Sequence, residues 1–384
     1  MRVLAACSLG GAGHLGPLRP FLDAARRAGH ETGVVAPPAM ETMVHATGHT
    51  YWRGGEPPEA QIAPIREQLP VLDPVAASVL GNRELFGRLA AWAMLPFMAE
   101  AVDRWQPHLI LRDPCEYASA VVAASIEVAV AQVAISLAEA EWGSITAAAP
   151  ALDEYRPGLT QLVRSTPYWT RFPAALDPSP FPATVRTRDA PDRVPRRLPK
   201  WWGVDDRPLV YVTFGTVLAH MATAGTAFAV VLDAVADLDA RVLLTVGPAF
   251  DPRHLGGLPT HVHVEQWVDQ IDVLAAATAV VCHGGSGTTF GALAAGLPMV
   301  LVPLFADQFV NAERVVDAGA GVAVTTGMDH EGHRRPLSID DSARIWAALA
   351  EVLSNDAYRR AARTVGETMR NAPTPDQVLG ALTA

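Results

Sequence analysis

Residues 279–303 read AVVCHGGSGTTFGALAAGLPMVLVP. An apolar, β-branched run ends at His283, three glycines follow within four positions, a helical pattern runs on, and a second apolar run closes the stretch. This is strand, tight turn, helix, strand, which is the repeating unit of a parallel sheet wound with helices. The turn suits phosphate. Gly284, Gly285 and Gly287 let the backbone come close, and Ser286, Thr288 and Thr289 add hydroxyls at a helix N-terminus. No lysine follows in the G-x-x-x-x-G-K-[ST] spacing, so the turn is not a P-loop.

The same rhythm extends in both directions. Apolar strand candidates stand at 2–7, 31–36, 109–112 and 128–135, and again at 209–214, 240–246, 261–265, 278–282, 298–303 and 320–326, with helical patterns between them. The expected fold class is therefore α/β, with two doubly wound, parallel-sheet, Rossmann-like domains. The stretch 173–208, crowded with proline and charge, reads as the connection between them. The expected layout is an N-terminal domain over 1–185, a linker over 186–207, a C-terminal domain over 208–365, and a helical tail over 366–384 that packs back on the N-terminal domain. Residues 50–105 interrupt the rhythm and read as loops and helices rather than sheet.

The 384 residues suffice for two cores, half of them are hydrophobic, and 18% are charged. A net charge of -10 disfavours a nucleic-acid partner. The basic cluster at 193–200 is too short to change that. Cys7, Cys115 and Cys282 share no metal or redox spacing and read as small buried hydrophobes. No uncharged apolar run reaches the ~20 residues of a spanning helix. With Met1-Arg2 entering a strand directly, the expectation is a cytoplasmic protein with no membrane partner.

A second glycine turn, LAACSLGGAGHLGPLRPF at 4–21, contains G-x-G-x-x-G as Gly11, Gly13 and Gly16. That spacing raises the question of a dinucleotide site. Such a site needs an acidic residue after its second strand. Here that strand ends in Ala36, Pro37 and Pro38. His14 places a ring inside the turn, and Pro17, read as opening the helix, removes a phosphate donor. The glycines instead present His14 at a helix N-terminus, where the dipole disfavours an imidazolium and keeps a neutral base available. A capping or core histidine is the structural alternative.

Other strand ends add to the picture. Trp267 offers a surface for a nucleobase, and Gln270 a paired donor and acceptor. Asp307 and Gln308 offer a carboxylate and an amide for sugar hydroxyls, and Gly215-Thr216 offers a further small turn. Ligands of open parallel sheets bind at such edges. Asp237-Leu238-Asp239 ends a helical run and reads as a solvated terminus rather than a metal motif. His261 and His263 alternate on a strand without a third ligand nearby and read as structural.

At this point the chain resembles the nucleotide-sugar-dependent glycosyltransferases of the GT-B fold, family 1, and within them bacterial enzymes that glycosylate antibiotics. The resemblance covers essentially the whole chain and is sharpest over 265–317 and over GHLGPLRPFLDAARRAGHE. It implies two Rossmann-like domains with an interdomain cleft, and an inverting, metal-independent hexosyl transfer. No cofactor is implied beyond the nucleoside-diphosphate sugar as co-substrate. It matches His14 to the catalytic base and Asp113 to the carboxylate that orients it. Trp267, Val268 and Gln270 match the base platform. His283, Gly284, Gly285, Ser286, Gly287 and Thr288 match the diphosphate cradle, with Gly215 and Thr216 as a second contact. Asp307 and Gln308 match the donor-sugar contact.

Two positions depart from the family. Asp269 stands where many members have proline, and Gly291 stands where UDP-sugar users carry a ribose-binding glutamate. The second favours dTDP over UDP. Trp52, Trp92 and Trp142 are candidates for the pocket of a small-molecule aglycone. A monomer or homodimer is expected. Alternatives are an epimerase of the same fold, a non-catalytic sugar-nucleotide binder, and an NAD-dependent oxidoreductase.

Overall fold

The computed structural model describes all residues except 10, 70–71, 73, 189–193, 200–205, 216–217, 219–222, 328–333 and 384. The chain divides into two compact units, Met1–Ala190 with Ala372–Ala384, and Pro191–Asn371. The basic stretch 193–200 lies in part outside the described residues.

The first unit carries a seven-stranded parallel sheet: β1 (Arg2–Ala6), β2 (Glu31–Ala36), β3 (Thr50–Arg53), β4 (Leu109–Arg112), β5 (Ala129–Val133), β6 (Tyr168–Thr170) and β7 (Thr184–Arg186). Their spatial order is β3-β2-β1-β4-β5-β6-β7. β3 corrects the reading of 50–105 as free of sheet, and β7 lies inside the stretch 173–208 read as a connection. Both are short, and β7 is half-buried throughout. Neither has the continuous apolar run that marks a strand covered on both faces.

The second unit carries six strands: β8 (Leu209–Thr213), β9 (Arg241–Thr245), β10 (Val262–Glu265), β11 (Ala279–Cys282), β12 (Met299–Leu301) and β13 (Gly321–Ala323). Their order is β10-β9-β8-β11-β12-β13, all parallel. Every residue of β8 and β11 is buried, as a central strand between two helical layers requires.

In each sheet the winding reverses beside the first strand, between β1 and β4 and between β8 and β11. Neighbouring loops diverge there and leave room above the carboxyl ends of the strands. The architecture is thus two doubly wound parallel α/β units, each with one switch point.

The last helix, Pro375–Thr383, belongs to the first unit. Val378 and Leu379 enter the core formed by β1, β2 and the helix Ala12–Arg27. Asp376 takes a two-pronged contact from Arg27, at 2.9 and 3.1 Å. A continuous helical run from Val75 to Trp105 is long and apolar enough to cross a bilayer by length and composition. In this fold its Met94 and Met98 are wholly buried against Leu4, Ala6 and Ile110 of the sheet.

Candidate functional site

Each switch point carries one group of candidate residues. In the first unit, Gly11 takes φ 90° and caps the helix Ala12–Arg27, its carbonyl accepting from the N–H groups of His14 and Leu15. His14 therefore stands in the first turn. The helix opens at Ala12, not at Pro17 as read from the sequence. Pro17 and Pro20 lie inside it and leave the carbonyls of Gly13 and Gly16 without their helical donors. A Cβ added at Gly13 or Gly16 meets nothing within 4 Å. In a dinucleotide fingerprint the third glycine packs helix against strand, so these glycines do not do that work.

His14 Nδ1 lies 3.2 Å from Asp113 Oδ2. Asp113 follows β4, is fully buried, and is held on both oxygens: the Ser8 N–H donates to Oδ2 at 3.3 Å and the Cys115 N–H to Oδ1 at 2.7 Å. A carboxylate facing Nδ1 favours the tautomer with the ring proton on Nδ1 and the lone pair on Nε2.

Behind Asp113 sits a residue that the sequence did not single out. Arg112, also fully buried, donates through Nε to the Glu116 carbonyl at 2.7 Å, through Nη2 to the Pro114 carbonyl at 3.0 Å, and through Nη1 to Gln132 Oε1 at 3.1 Å. It ties the loop that carries Asp113 down to β5. Burial of a guanidinium is costly unless its donors are used, and here all three nitrogens are bonded. Burial also pushes the Glu116 carboxyl upward, with Arg112 opposing.

Of the three tryptophans proposed for an acceptor pocket, Trp52 packs beside Trp105 against the sheet core, Trp92 is exposed, and Trp142 lies edge-on to Phe181 beneath Arg164. The aromatic ring stacked on His14 is Phe86, at 5.9 Å between centroids and 25° between planes.

The second group lies in the second unit. Gly215 follows β8 with φ 71°, and a Cβ there would come 2.9 Å from His283 Cε1. A Cβ on Gly285 would come 2.3 Å from His283 Nε2. The two glycines thus leave the space that the imidazole fills. Burial lowers the His283 pKa to about 4, against the opposing pull of the Asp307 carboxylate and the Thr213 backbone, so the ring is neutral at pH 7. Thr216 lies outside the described residues.

The helix Ser286–Ala294 starts directly after Gly285, and its first bond inward is from Thr289 N–H to the Gly285 carbonyl. That leaves the N–H groups of Ser286, Gly287 and Thr288 at the positive end of the helix. The Ser286 hydroxyl donates to Asp307 Oδ2 at 3.0 Å. Asn311, buried and likewise not singled out, donates to the Gly284 carbonyl at 2.8 Å, to Ser286 Oγ at 3.1 Å and to Asp307 Oδ2 at 3.3 Å. It stands four residues after Asp307, one helical turn on. Gln308 is nearly buried, and its Oε1 accepts from the Leu304 and Phe305 N–H groups at 2.8 and 3.1 Å.

Gln270 opens the helix Gln270–Ala276 and donates from Nε2 to Thr288 Oγ1 at 3.1 Å, joining that helix to the first turn of the helix Ser286–Ala294. Asp269, the departure from proline, caps this helix by accepting from the Ile271 N–H. Val268 is half-buried and Trp267 is 65% exposed. Trp267 stands on the wall of an open pocket of ≈ 760 Å³ formed by residues 248–253 and 264–267. His261, just before β10, and His263, within it, have separate partners, the Val235 carbonyl for His261 and Glu265 for His263.

Two doubly wound units, with a histidine–carboxylate pair on one and a glycine-rich helix N-terminus and an exposed tryptophan on the other, have the architecture of a glycosyltransferase of the GT-B fold. Comparison with known proteins agrees. L-demethylnoviosyl transferase of Streptomyces niveus is 32% identical over the whole of this chain and 98% of its own length. The chain belongs to this family of antibiotic-biosynthesis glycosyltransferases. Residues 229–384 match the family described as erythromycin biosynthesis protein CIII-like, C-terminal domain. The elloramycin glycosyltransferase ElmGT of Streptomyces olivaceus is 40% identical over 47% of this chain and 42% of its own. Among solved structures, the glycosyltransferase SnogD from Streptomyces nogalater superposes with a TM-score of 0.77 at 24% identity, covering 100% of this chain and 98% of its own. VinC, solved in complex with dTDP, gives 0.76 at 22%, with the same coverage.

Proposed function

We propose that the protein is an inverting, metal-independent glycosyltransferase. It moves a hexosyl or deoxyhexosyl group from a nucleoside-diphosphate sugar, dTDP favoured over UDP, to a hydroxyl of a small natural-product acceptor. The observation that carries this reading is the His14–Asp113 pair, a ring nitrogen 3.2 Å from a fully buried carboxylate. The acceptor O–H gives its proton to Nε2 of His14. Its oxygen attacks the anomeric carbon from the face opposite the diphosphate, so the new C–O bond forms as the sugar–phosphate bond breaks and the configuration inverts. Asp113 stabilises the imidazolium as it forms.

The departing diphosphate oxygens take their charge to the N–H groups of Ser286, Gly287 and Thr288, with the Thr288 hydroxyl beside them. A preorganised helix N-terminus of this kind stabilises a leaving oxyanion without reorganising. His283, held neutral, adds a ring nitrogen without adding a charge. Trp267 receives the base, and Asp307 the sugar hydroxyls. Preference for dTDP is supported at Gly291, where a Cβ would come 3.5 Å from Gln270 Oε1 and 3.3 Å from Leu274 Cδ1. No carboxylate stands at that position to hold a ribose 2′-hydroxyl.

Calorimetric titration without added metal against dTDP, UDP and NAD⁺ tests the donor half. The reading expects dTDP to bind more tightly than UDP, and Trp267→Ala to weaken it. Binding of NAD⁺ alone would overturn it. The chemical half is tested by nucleotide release from a panel of dTDP-sugars. Release should depend on added acceptor and disappear in His14→Ala, whereas acceptor-independent release would point to an epimerase.

A further inference from the structure

The helical run from Pro74 to Trp105 is not a uniform α-helix. Leu80–Ala90 is π-helical, between the α-helical stretches Pro74–Val79 and Ala91–Trp105. π-helical turns are rare, are mostly single turns, and gather at functional sites. An eleven-residue stretch is long for the class.

Packing holds it there. At Gly87 a Cβ would meet the methyls of Ala151 at 3.3 Å and Ala148 at 3.4 Å, on the helix Ala138–Tyr155. The Tyr155 hydroxyl donates to the Arg88 carbonyl at 3.1 Å, and Arg88 reaches both Glu84 and Glu154. With that side clamped, the direction of the residue before Gly87 depends on the winding, because one residue more or less per helix rotates its neighbours by about 100°. The residue before Gly87 is Phe86, whose ring stacks on His14.

We propose that Phe86 is a positioning residue for His14, and that the π-helical stretch is the device that sets its ring against the imidazole. The proposal rests on reading His14 as the base. Asp113 restrains one edge of the imidazole through Nδ1. A ring stacked on its face adds a second restraint in another direction, and the two act together on where Nε2 points. The π face also favours the imidazolium that proton transfer creates.

The test compares Phe86→Leu, Phe86→Met and Phe86→Tyr in the full chain, by steady-state kinetics and by NMR of the His14 ring nitrogens without substrate. An aromatic contact of this kind corresponds to about a three- to tenfold effect. The expected result is a kcat lowered by that factor in Leu and Met, an acceptor KM within twofold, and restoration by Tyr. In Leu and Met the Nδ1–H resonance should broaden as the ring becomes mobile. Unchanged kcat with a sharp Nδ1–H resonance would overturn the proposal, as would a rise in acceptor KM alone, which marks a pocket wall. Should Phe86→Leu not fold, Phe86→Met carries the same comparison. A His14→Ala variant that keeps full activity would instead remove the reading of His14 as base. The NMR readout is independent of activity and separates the two failures.

Discussion

Replacing Asp113 by asparagine changes one charge and almost no volume. In the structure both carboxylate oxygens already accept from backbone N–H groups, and Oδ2 also faces His14 Nδ1 at 3.2 Å. An amide has one acceptor oxygen and one NH₂. Whichever way it turns, its NH₂ faces a donor: the Cys115 N–H, or the Ser8 N–H together with the His14 ring. Two consequences follow. The favoured tautomer of His14 moves its proton towards Nε2, where the lone pair is needed. The imidazolium also loses its counter-charge, worth about 5 kcal/mol at this separation with an effective dielectric of about 20. That corresponds to a fall in kcat of roughly a thousand- to ten-thousandfold. The mismatched N–H costs folding about 1–3 kcal/mol. The assay is acceptor-dependent nucleotide release at saturating donor, with the melting temperature followed in parallel. A folded Asp113→Asn protein that keeps kcat within tenfold of the parent would refute the reasoning.

Arg112→Met should lower kcat while leaving dTDP affinity, measured by calorimetry, unchanged, because its bonds tie the loop that carries Asp113 to β5 and reach no residue of the second unit. Gly215→Ala should weaken dTDP binding at least tenfold: its φ of 71° and the 2.9 Å approach to His283 both oppose a methyl group. Burial depresses the His283 pKa from 6.5 to about 4, so between those values the unfolded chain takes up a proton that the folded one refuses. Stability should be flat in this contribution above pH 6.5 and fall as pH drops towards 4, and His283→Gln should flatten that part of the curve in urea titrations. Leu379→Ala should destabilise the first unit by about 2–5 kcal/mol, whereas Arg27→Ala, at an exposed ion pair, should cost at most about 1 kcal/mol in the same melts.

Much of this architecture is legible in the chain because its central strands are covered on both faces. β8 as LVYVT and β11 as AVVC are unbroken apolar runs, and each glycine turn follows such a run. β7 is not legible, since three half-buried residues carry no period. The π-helical stretch LGNRELFGRLA looks like any amphipathic helix. Its winding follows from the fit of Gly87 between Ala148 and Ala151, more than sixty residues further along the chain. Arg112 reads as a polar end to a strand. Only when the next four residues fold back do two of their carbonyls meet its guanidinium. Asn311 was within reach of spacing alone, one helical turn beyond Asp307. Among the aromatics, composition points to the large tryptophans, while the ring beside His14 belongs to a phenylalanine set by helix winding.

The return of Pro375–Thr383 to the first unit gives the molecule an order of assembly. Val378 and Leu379 are part of the first core, yet they are synthesised after the whole of the second unit. At translation speeds of about 5–20 residues per second, the second unit emerges whole while the first still lacks a piece of its interior. A ribosome that stalls before residue 372 would therefore release a finished second unit joined to an unfinished first one. Synthesis of the helix Pro375–Thr383, rather than completion of either sheet, is the event that seals the first core.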